Sequence, residues 1–488
     1  MKKQKVPTPK KNRKRKKNNQ KFFILIKRRF VFEPLFFIFI KRKFRLPDNS
    51  FFVLFKNMKK PNVYIETYGC QMNKLDSEYV HTILDSDGFN IVSDKFHADV
   101  ILFNTCSVRE NAERRVRGRI AELSAIRKEK PELFMGVIGC MAQELGEKLL
   151  SKDVRLIAGP DSYRKLPVLL RRARNGAVVD TIFESEETYE DIKPVRASQF
   201  SAWVAVMRGC NNYCSYCIVP YTRGRERSIP VESIVTEIED LKKESWREIT
   251  LLGQNVNSYC DGDMNFAGLL KRVSDTGIGR IRFLTSHPKD LTSDILDVMA
   301  ERDNVCPHLH LPLQSGSDRI LKAMNRGYTV SDYMSLIKEA REKVNGISIT
   351  TDMIFGFPGE TEEDFQASLR VIENIQFDFA FLYRYSEREG TKACHLAGIV
   401  PEEIRIDRLK KAIAMQNTIT HQNNEERIDS ETVVLIEALS KDGRGWFGFS
   451  DTNIPVVITS ESKDIKIGAF VNVLIESTTG SSLIGKTK

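Results

Sequence analysis

Cys210-Asn211-Asn212-Tyr213-Cys214-Ser215-Tyr216-Cys217 carries three thiols at the spacing C-x3-C-x2-C, just after the apolar run 203–207 and a glycine, Gly209. The run reads as a strand, so the thiols lie on the loop at its carboxyl end, where β/α barrels keep their chemistry. Iron–sulfur and zinc sites ordinarily take four protein ligands. Three thiolates on a four-iron cluster leave one iron open, and an open position is what a catalytic metal site keeps for its substrate. Two plainer readings stand beside this one. The cysteines can be small buried hydrophobes, or they can hold zinc. Zinc motifs usually pair C-x2-C elements with two further ligands, and the chain has no second such pair.

Outward from this stretch, apolar runs at 203–207, 248–252, 281–284, 308–311, 347–353 and 379–385 alternate with helical patterns. Six β/α steps predict an incomplete barrel. Upstream, runs at 63–67, 100–104, 134–138 and 154–158 alternate with helical stretches at 75–84, 111–128 and 143–150, which predicts an open, mostly parallel α/β sheet. Cys70, Cys106 and Cys140 each follow the carboxyl end of one of these strands. Carboxyl ends of parallel strands share one edge, so the three can converge. The functional reading is a second iron–sulfur cluster with one open iron; the alternative is three separate buried thiols. Residues 184–199 are acidic and read as an exposed linker. Beyond 424, short runs at 432–437, 446–449, 455–458 and 469–475 with Gly, Asp and Asn turns predict a small β-barrel. The class is α/β, with domains expected at 58–183, 200–423 and 424–488.

The formal charge of +10 suggests a nucleic-acid partner. Its distribution does not: residues 1–57 hold 19 Lys and Arg against 2 acids, which leaves 58–488 at −7. The first segment lacks a signal peptide's cleavage site and a transit peptide's Arg/Ser composition, and its apolar runs are too short to span a bilayer. It reads as a disordered basic arm, a membrane-surface anchor, or a misplaced start upstream of Met58, and the last is the favoured expectation. All nine cysteines lie beyond residue 69. With no secretory signal, a reducing, cytoplasmic setting is expected, where clustered cysteines are metal-binding or catalytic.

On these motifs, residues 62–488 resemble the radical S-adenosylmethionine (SAM) methylthiotransferase family. Within it the MiaB type is the nearer likeness, through Tyr68-Gly69-Cys70-Gln71-Met72-Asn73 with Asp76-Ser77-Glu78 and through Asn104-Thr105-Cys106-Ser107-Val108-Arg109-Glu110-Asn111-Ala112, while Arg208-Gly209-Cys210 through Arg223-Gly224-Arg225-Glu226-Arg227-Ser228 is more similar to the tRNA-acting members than to the ribosomal one. The resemblance implies two [4Fe-4S] clusters, each with three Cys ligands. Cys210, Cys214 and Cys217 would carry the radical-generating cluster, whose open iron chelates SAM. Cys70, Cys106 and Cys140 would carry the sulfur-donating auxiliary cluster. Implied SAM contacts are Tyr216 near the adenine, Gly253, Gln254 and Asn255 near the amino group, and Ser286, Gln314, Asp352, Gly356 and Gly359. The glycines are expected to let the backbone approach SAM closely. Glu387 stands where the family usually has Pro and receives no role. The last domain resembles a TRAM, OB-like RNA-binding module.

The activity so implied is methylthiolation of C2 of N6-(dimethylallyl)adenosine at position 37, beside the anticodon of tRNA. That C–H is not acidic, so removing its hydrogen is work for a cofactor rather than an acid–base pair. An unstacked base in an anticodon loop suits such recognition. The alternatives are threonylcarbamoyl-adenosine in tRNA, a ribosomal protein, or a non-catalytic iron–sulfur protein that binds RNA. The enzyme is expected to be a monomer with no membrane partner, supplied by an electron donor and a sulfur source that the sequence does not identify. Residues 424–488 hold 7 basic and 10 acidic residues, so RNA binding there needs a local patch, Lys441, Arg444, Lys463 and Lys466. Arg114, Arg115, Arg117 and Arg119 could meet phosphates, although a solvated face is the commoner role. Gly443 to Gly448 fits G-x-G-x-x-G but reads as a β-turn, not a dinucleotide loop. His308 and His310 read as packing residues, and Cys260, Cys306 and Cys394 as plain thiols.

Overall fold

A computed structural model describes residues 60–107, 110–441, 443, 445–459 and 465–488. The readings of 1–57, Arg444 and Lys463 fall outside them. The first layer is a six-stranded parallel sheet: β1 (Asn62–Tyr68), β2 (Asn90–Ile91), β3 (Val100–Thr105), β4 (Phe134–Gly139), β5 (Val154–Ala158) and β6 (Val178–Asp180), in the order β2-β1-β3-β4-β5-β6. Every residue of β3 and β4 is buried, as expected of central parallel strands covered on both faces.

Next come β7 (Ser201–Ala205), β8 (Met207–Arg208), β9 (Arg227–Ser228), β10 (Glu248–Leu252), a small hairpin of β11 (Cys260–Asp261) and β12 (Met264–Asn265), then β13 (Arg280–Phe283), β14 (His308–His310), β15 (Ser348–Phe355) and β16 (Phe379–Arg384). They form two parallel three-stranded sheets, β13-β10-β7 and β14-β15-β16. A bridge between Ile281 and Val305 joins the two, and Cys306 N donates to Ile281 O at 2.9 Å. The six expected β/α strands are present as this split, open barrel. The run 203–207 is two pieces, because β8 turns away to pair antiparallel with β9. One apolar core runs through both layers, from Val63, Leu75 and Tyr79 to Val204, Ile249 and Phe365.

The small domain is a closed barrel of β17 (Glu431–Leu439), β18 (Trp446–Ser450), β19 (Pro455–Ile458), β20 (Phe470–Thr478) and β21 (Leu483–Thr487). Four of these strands were anticipated, and β21 closes the ring. The 24-residue helix Glu402–Glu425, which the sequence reading did not mark, precedes it.

The expected exposed linker is exposed along most of its length and is pinned to the first layer at Tyr189. Tyr189 is fully buried, stacks on Tyr79 with centroids 5.7 Å apart, and donates from its hydroxyl to Pro160 O at 2.8 Å. Arg164 Nε donates to Glu187 Oε2 at 2.6 Å and its Nη1 to Asp191 Oδ2 at 3.1 Å, so these two acids are tied down while Glu186 and Glu190 stay exposed. No helix among the described residues is long and apolar enough to cross a membrane.

Candidate functional site

Cys210 and Cys214 are each 8% exposed, and Cys217 is half-buried. Backbone hydrogen bonds shape their loop. Cys210 N donates to Gly224 O at 3.1 Å, Cys217 N to Cys214 O at 2.9 Å, and Gly209 N to Gln254 Oε1. Gly209 has φ +80°, and a Cβ there would lie 1.9 Å from Arg225 O. Only glycine lets the chain enter the loop so closely. Burial pushes Cys210 up to about 11 and Cys217 up to about 12, and the nearby Cys214 thiol raises both further. A bound metal centre deprotonates its thiol ligands outright. The donor set therefore fits an iron–sulfur cluster.

Arg326, unmarked by the sequence reading, is 5% exposed. Its Nη1 lies 3.4 Å from both Cys214 Sγ and Tyr216 Oη, its Nε donates to Tyr328 Oη at 2.9 Å, and its Nη2 donates to Pro312 O at 2.9 Å. Tyr328 in turn donates to Leu313 O at 2.8 Å and lies edge-on to His287, with centroids 5.7 Å apart. The thiol loop is thus wired to the loops after β13 and β14.

Those loops carry Ser286 and Gln314, and the other expected SAM contacts lie on the neighbouring strand ends, Gly253, Gln254 and Asn255 after β10 and Asp352 in β15. Thr285 Oγ1 donates to Gly253 O at 2.7 Å, Asn255 Nδ2 donates to Asp290 Oδ2 at 2.7 Å, and Gln314 N donates to Asp352 O at 2.8 Å. Gln314 adopts φ +78°, a strained backbone for a non-glycine residue. Asn255 Oδ1, Ser286 Oγ and His287 Nε2 are buried without partners. Unfilled buried polar groups at strand ends fit a polar ligand such as SAM. Burial pushes His287 down to about 2, and Arg326 and Lys289 add to this, so the ring is neutral.

The two later glycines are also packed against the chain itself. Gly356 has φ +74°, but a Cβ there would meet Arg405 Cγ at 2.2 Å, and Gly359 N donates to Gly398 O at 2.7 Å. Their close approaches are made by the chain itself, at Arg405 and Gly398. Tyr216 packs against the small apolar cluster of Ile320, Met324, Phe357, Tyr385 and Ala393.

The second thiol group follows three strands that are neighbours in the sheet, β1, β3 and β4. Cys106 comes directly after β3, Cys140 directly after β4, and Cys70 two residues after β1. A Cβ on Gly69 would lie 2.7 Å from Cys106 Cβ, and one on Gly139 (φ +89°) would lie 2.6 Å from Asn104 Oδ1. Asn73 and Asn104 brace the edge, with Asn104 Nδ2 donating to Asn73 O at 2.8 Å. A hydrogen bond from Cys106 lowers Cys70 to about 6 against the opposing effect of burial, helped by Arg223. Burial raises Cys140, although Arg223 Nε donates to its sulfur at 3.2 Å. A thiol cluster with one member ready to ionise and a guanidinium beside it also fits an anionic iron–sulfur group. Among the described residues, no three His, Cys, Asp or Glu side chains close on a single ion.

Elsewhere, Lys441 and Lys466 are exposed. Arg119 is not free for phosphate, because it pairs with Glu66 at 2.6 Å and with Glu122 at 2.5 Å. His308 Nε2 and His310 Nδ1 share Thr350 Oγ1, at 3.2 and 3.0 Å.

The chain matches the Radical SAM superfamily over residues 204–372 and an uncharacterized protein family, UPF0004, over residues 62–159. It is 47% identical over 435 residues to the tRNA-2-methylthio-N(6)-dimethylallyladenosine synthase of Chloroherpeton thalassium, covering 88% of this chain and 96% of the relative. It is 43% identical to the protein of that name from Porphyromonas gingivalis, covering 88% and 96%. Among solved structures it resembles the radical S-adenosylmethionine methyltransferase TsrM from Kitasatospora setae, with cobalamin and a [4Fe-4S] cluster bound. That likeness has a TM-score of 0.53 at 16% identity and covers 69% of this chain and 77% of the other, a likeness of fold alone.

Proposed function

Since the chain belongs to the family of tRNA-2-methylthio-N(6)-dimethylallyladenosine synthases, within the Radical SAM superfamily, we propose that it methylthiolates C2 of N6-(dimethylallyl)adenosine at position 37 of tRNA, next to the anticodon. The protein is a transferase that uses SAM and a [4Fe-4S] cluster. The observation that carries the finer reading is the pair of thiol groups, each at strand ends and each braced by a buried arginine.

In this reading Cys210, Cys214 and Cys217 hold the first cluster. Gly253, Gln254, Asn255, Ser286, Gln314 and Asp352 face SAM at the strand ends, with Tyr216 beside its adenine. Cys70, Cys106 and Cys140 hold a second cluster that supplies sulfur. When bound, these groups provide the one-electron chemistry that removes hydrogen from a non-acidic aromatic C–H. The chain's own work is placement. Gln254 holds the mouth of the thiol loop through Gly209 N, and Arg326 ties Cys214 to the segment before Gln314. His287, neutral by burial, offers an uncharged acceptor or donor to whatever lies against its Nε2. The C-terminal barrel is read as the tRNA-contacting module, and the enzyme as a cytoplasmic monomer.

Nucleoside mass spectrometry of tRNA from cells lacking the protein tests this. The expected result is loss of 2-methylthio-N6-(dimethylallyl)adenosine, restored by the intact gene and not by a Cys214→Ala copy. Loss confined to the threonylcarbamoyl derivative would replace the substrate. No change in either nucleoside would overturn the tRNA reading.

A further inference from the structure

Between the two thiol groups lies a buried network. Asp76, fully buried, sits on the helix Gln71–Ser86 that starts directly after Cys70. It accepts from Arg208 Nη1 and Nη2 at 3.1 and 2.5 Å, from Arg223 Nη2 at 2.7 Å and from Tyr163 Oη at 3.2 Å. Arg208 immediately precedes Gly209-Cys210, and Arg223 ends the helix Val219–Arg223 that follows Cys217. Residues flanking the first thiol loop therefore meet on an acid that belongs to the second.

One carboxylate faces two guanidiniums, so Asp76 alone does not neutralise both Arg208 and Arg223, which are held away from water. Arginine does not deprotonate to relieve this, and an uncompensated buried charge is strongly destabilising. Arg208 has further relief, since its guanidinium lies 4.6 Å from the centre of the Tyr189 ring. Arg223 is 3% exposed; its Nε donates to Cys140 Sγ, and its Nη1 is buried with no hydrogen-bond partner. A buried cation with one unfilled donor, already touching a thiol, calls for an anion at that place. A four-iron cluster with three thiolate ligands is anionic and gains negative charge on reduction.

We propose that Arg223 is a positioning residue for a cluster on Cys70, Cys106 and Cys140. It donates from Nε to the Cys140 sulfur and from Nη1 to the cluster, raising the cluster's reduction potential and tying its placement to the Cys210 loop. The inference rests on the assignment of those three thiols to a second cluster. Hydrogen bonds to ligand sulfurs, and positive charge near them, stabilise the more negative reduced state and so raise the potential.

The test uses the full chain with Cys210, Cys214 and Cys217 replaced by alanine, so that only the second thiol group can hold iron. Iron content and the midpoint potential, followed by electron paramagnetic resonance, are compared for the parent, Arg223→Gln and Arg223→Lys. The expected result is full iron loading, a more negative potential in Arg223→Gln, and a smaller shift in Arg223→Lys, which keeps the charge without the fork. In the reciprocal background, with Cys70, Cys106 and Cys140 replaced, Arg223→Gln should leave the potential unmoved. An unaltered potential at equal iron content overturns the proposal, as does an equal shift in both backgrounds. Should the glutamine variant not retain iron, Arg223→Lys decides, a lowered potential sustaining the proposal and an unaltered one overturning it. A parent background that takes up no iron refutes the second-cluster assignment itself, an outcome separate from the others.

Discussion

At the scale of single residues, the thiol groups make different demands on substitution. On the proposed assignment Cys214→Ala removes a ligand of the SAM-binding cluster, so both SAM cleavage and tRNA modification should fall to background. Cys106→Ala should leave SAM cleavage intact while the 2-methylthio product disappears; product formed by this variant would refute the sulfur-donating role. Gly209 is exposed to substitution for a steric reason. Alanine there would need φ +80° and a Cβ 1.9 Å from Arg225 O. Such strain costs on the order of 1–3 kcal/mol, and the loop can relieve it by moving the thiols apart. Gly209→Ala should therefore lose iron from the Cys210 group well before it loses its fold, as read by iron content against far-ultraviolet circular dichroism. Full iron content in this variant would show that the loop does not need its glycine. The cysteines and this glycine were legible because spacing is a local signal. Asp76, Arg208 and Arg223 acquired no role from sequence because their partners lie 132 and 147 residues apart. One hint was available: Asp76 falls on the same helical face as Met72, Tyr79 and Val80, all buried, and an acid on an apolar stripe needs a buried partner.

At the scale of elements, apolar parallel strands were the easiest to read. β10 and β19 fall on the runs 248–252 and 455–458, whose residues are mostly buried in β10 and alternate in β19. What escaped was structure held by polar burial. The helix Glu402–Glu425 turns Arg408, Gln416 and Asn424 inward, with Gln416 Nε2 donating to Phe377 O at 2.8 Å, so it shows no apolar stripe. β21 alternates too weakly in Leu-Ile-Gly-Lys-Thr to register. The segment 184–199 is largely exposed, as its acids suggest, but Arg164, which holds Glu187 and Asp191, is not visible from them. The helix Glu362–Ile375 yields a pH prediction. Burial alone would raise Asp364, but hydrogen bonds from Ser317 and Thr361, with the Arg319 ion pair, outweigh it and hold the carboxyl at about 2. A folded-state value below the unfolded one stabilises above the unfolded value, about pH 4, and the contribution is lost as pH falls from there through about 2. Asp364→Asn should lose about 2 kcal/mol at pH 7. Its deficit in urea unfolding should shrink below pH 4; a deficit independent of pH would assign the loss to packing.

At the scale of the whole molecule, the C-terminal barrel is fixed by the arginines of β13. Arg282 Nη2 donates to Ser450 O at 2.6 Å and its Nη1 to Asp451 O at 2.9 Å, while Arg280 Nη2 donates to Val433 O at 3.0 Å. Arg282 Nε also donates to Glu248 Oε2 at 2.9 Å, and both side chains are buried. The small barrel is thus gripped largely through backbone carbonyls, with the Phe470 ring of β20 packed 4.9 Å from the Arg280 guanidinium. A module with a net acidic composition can meet RNA only if its few exposed cations are held at a fixed place relative to the thiol loops. Arg282→Ala removes the grip and leaves Glu248 buried with only Arg280, 3.8 Å away, as a counter-charge, a loss of about 3–5 kcal/mol for a broken buried pair. Because the Arg282 side chain reaches Glu248, the first residue of β10, and the small barrel rather than the thiol loops, iron content should persist. Unfolding should instead separate into two steps, and KM for tRNA should rise with little change in kcat. If unfolding stays a single step and KM is unchanged, the grip is dispensable and the barrel's placement rests on the helix Glu402–Glu425 alone.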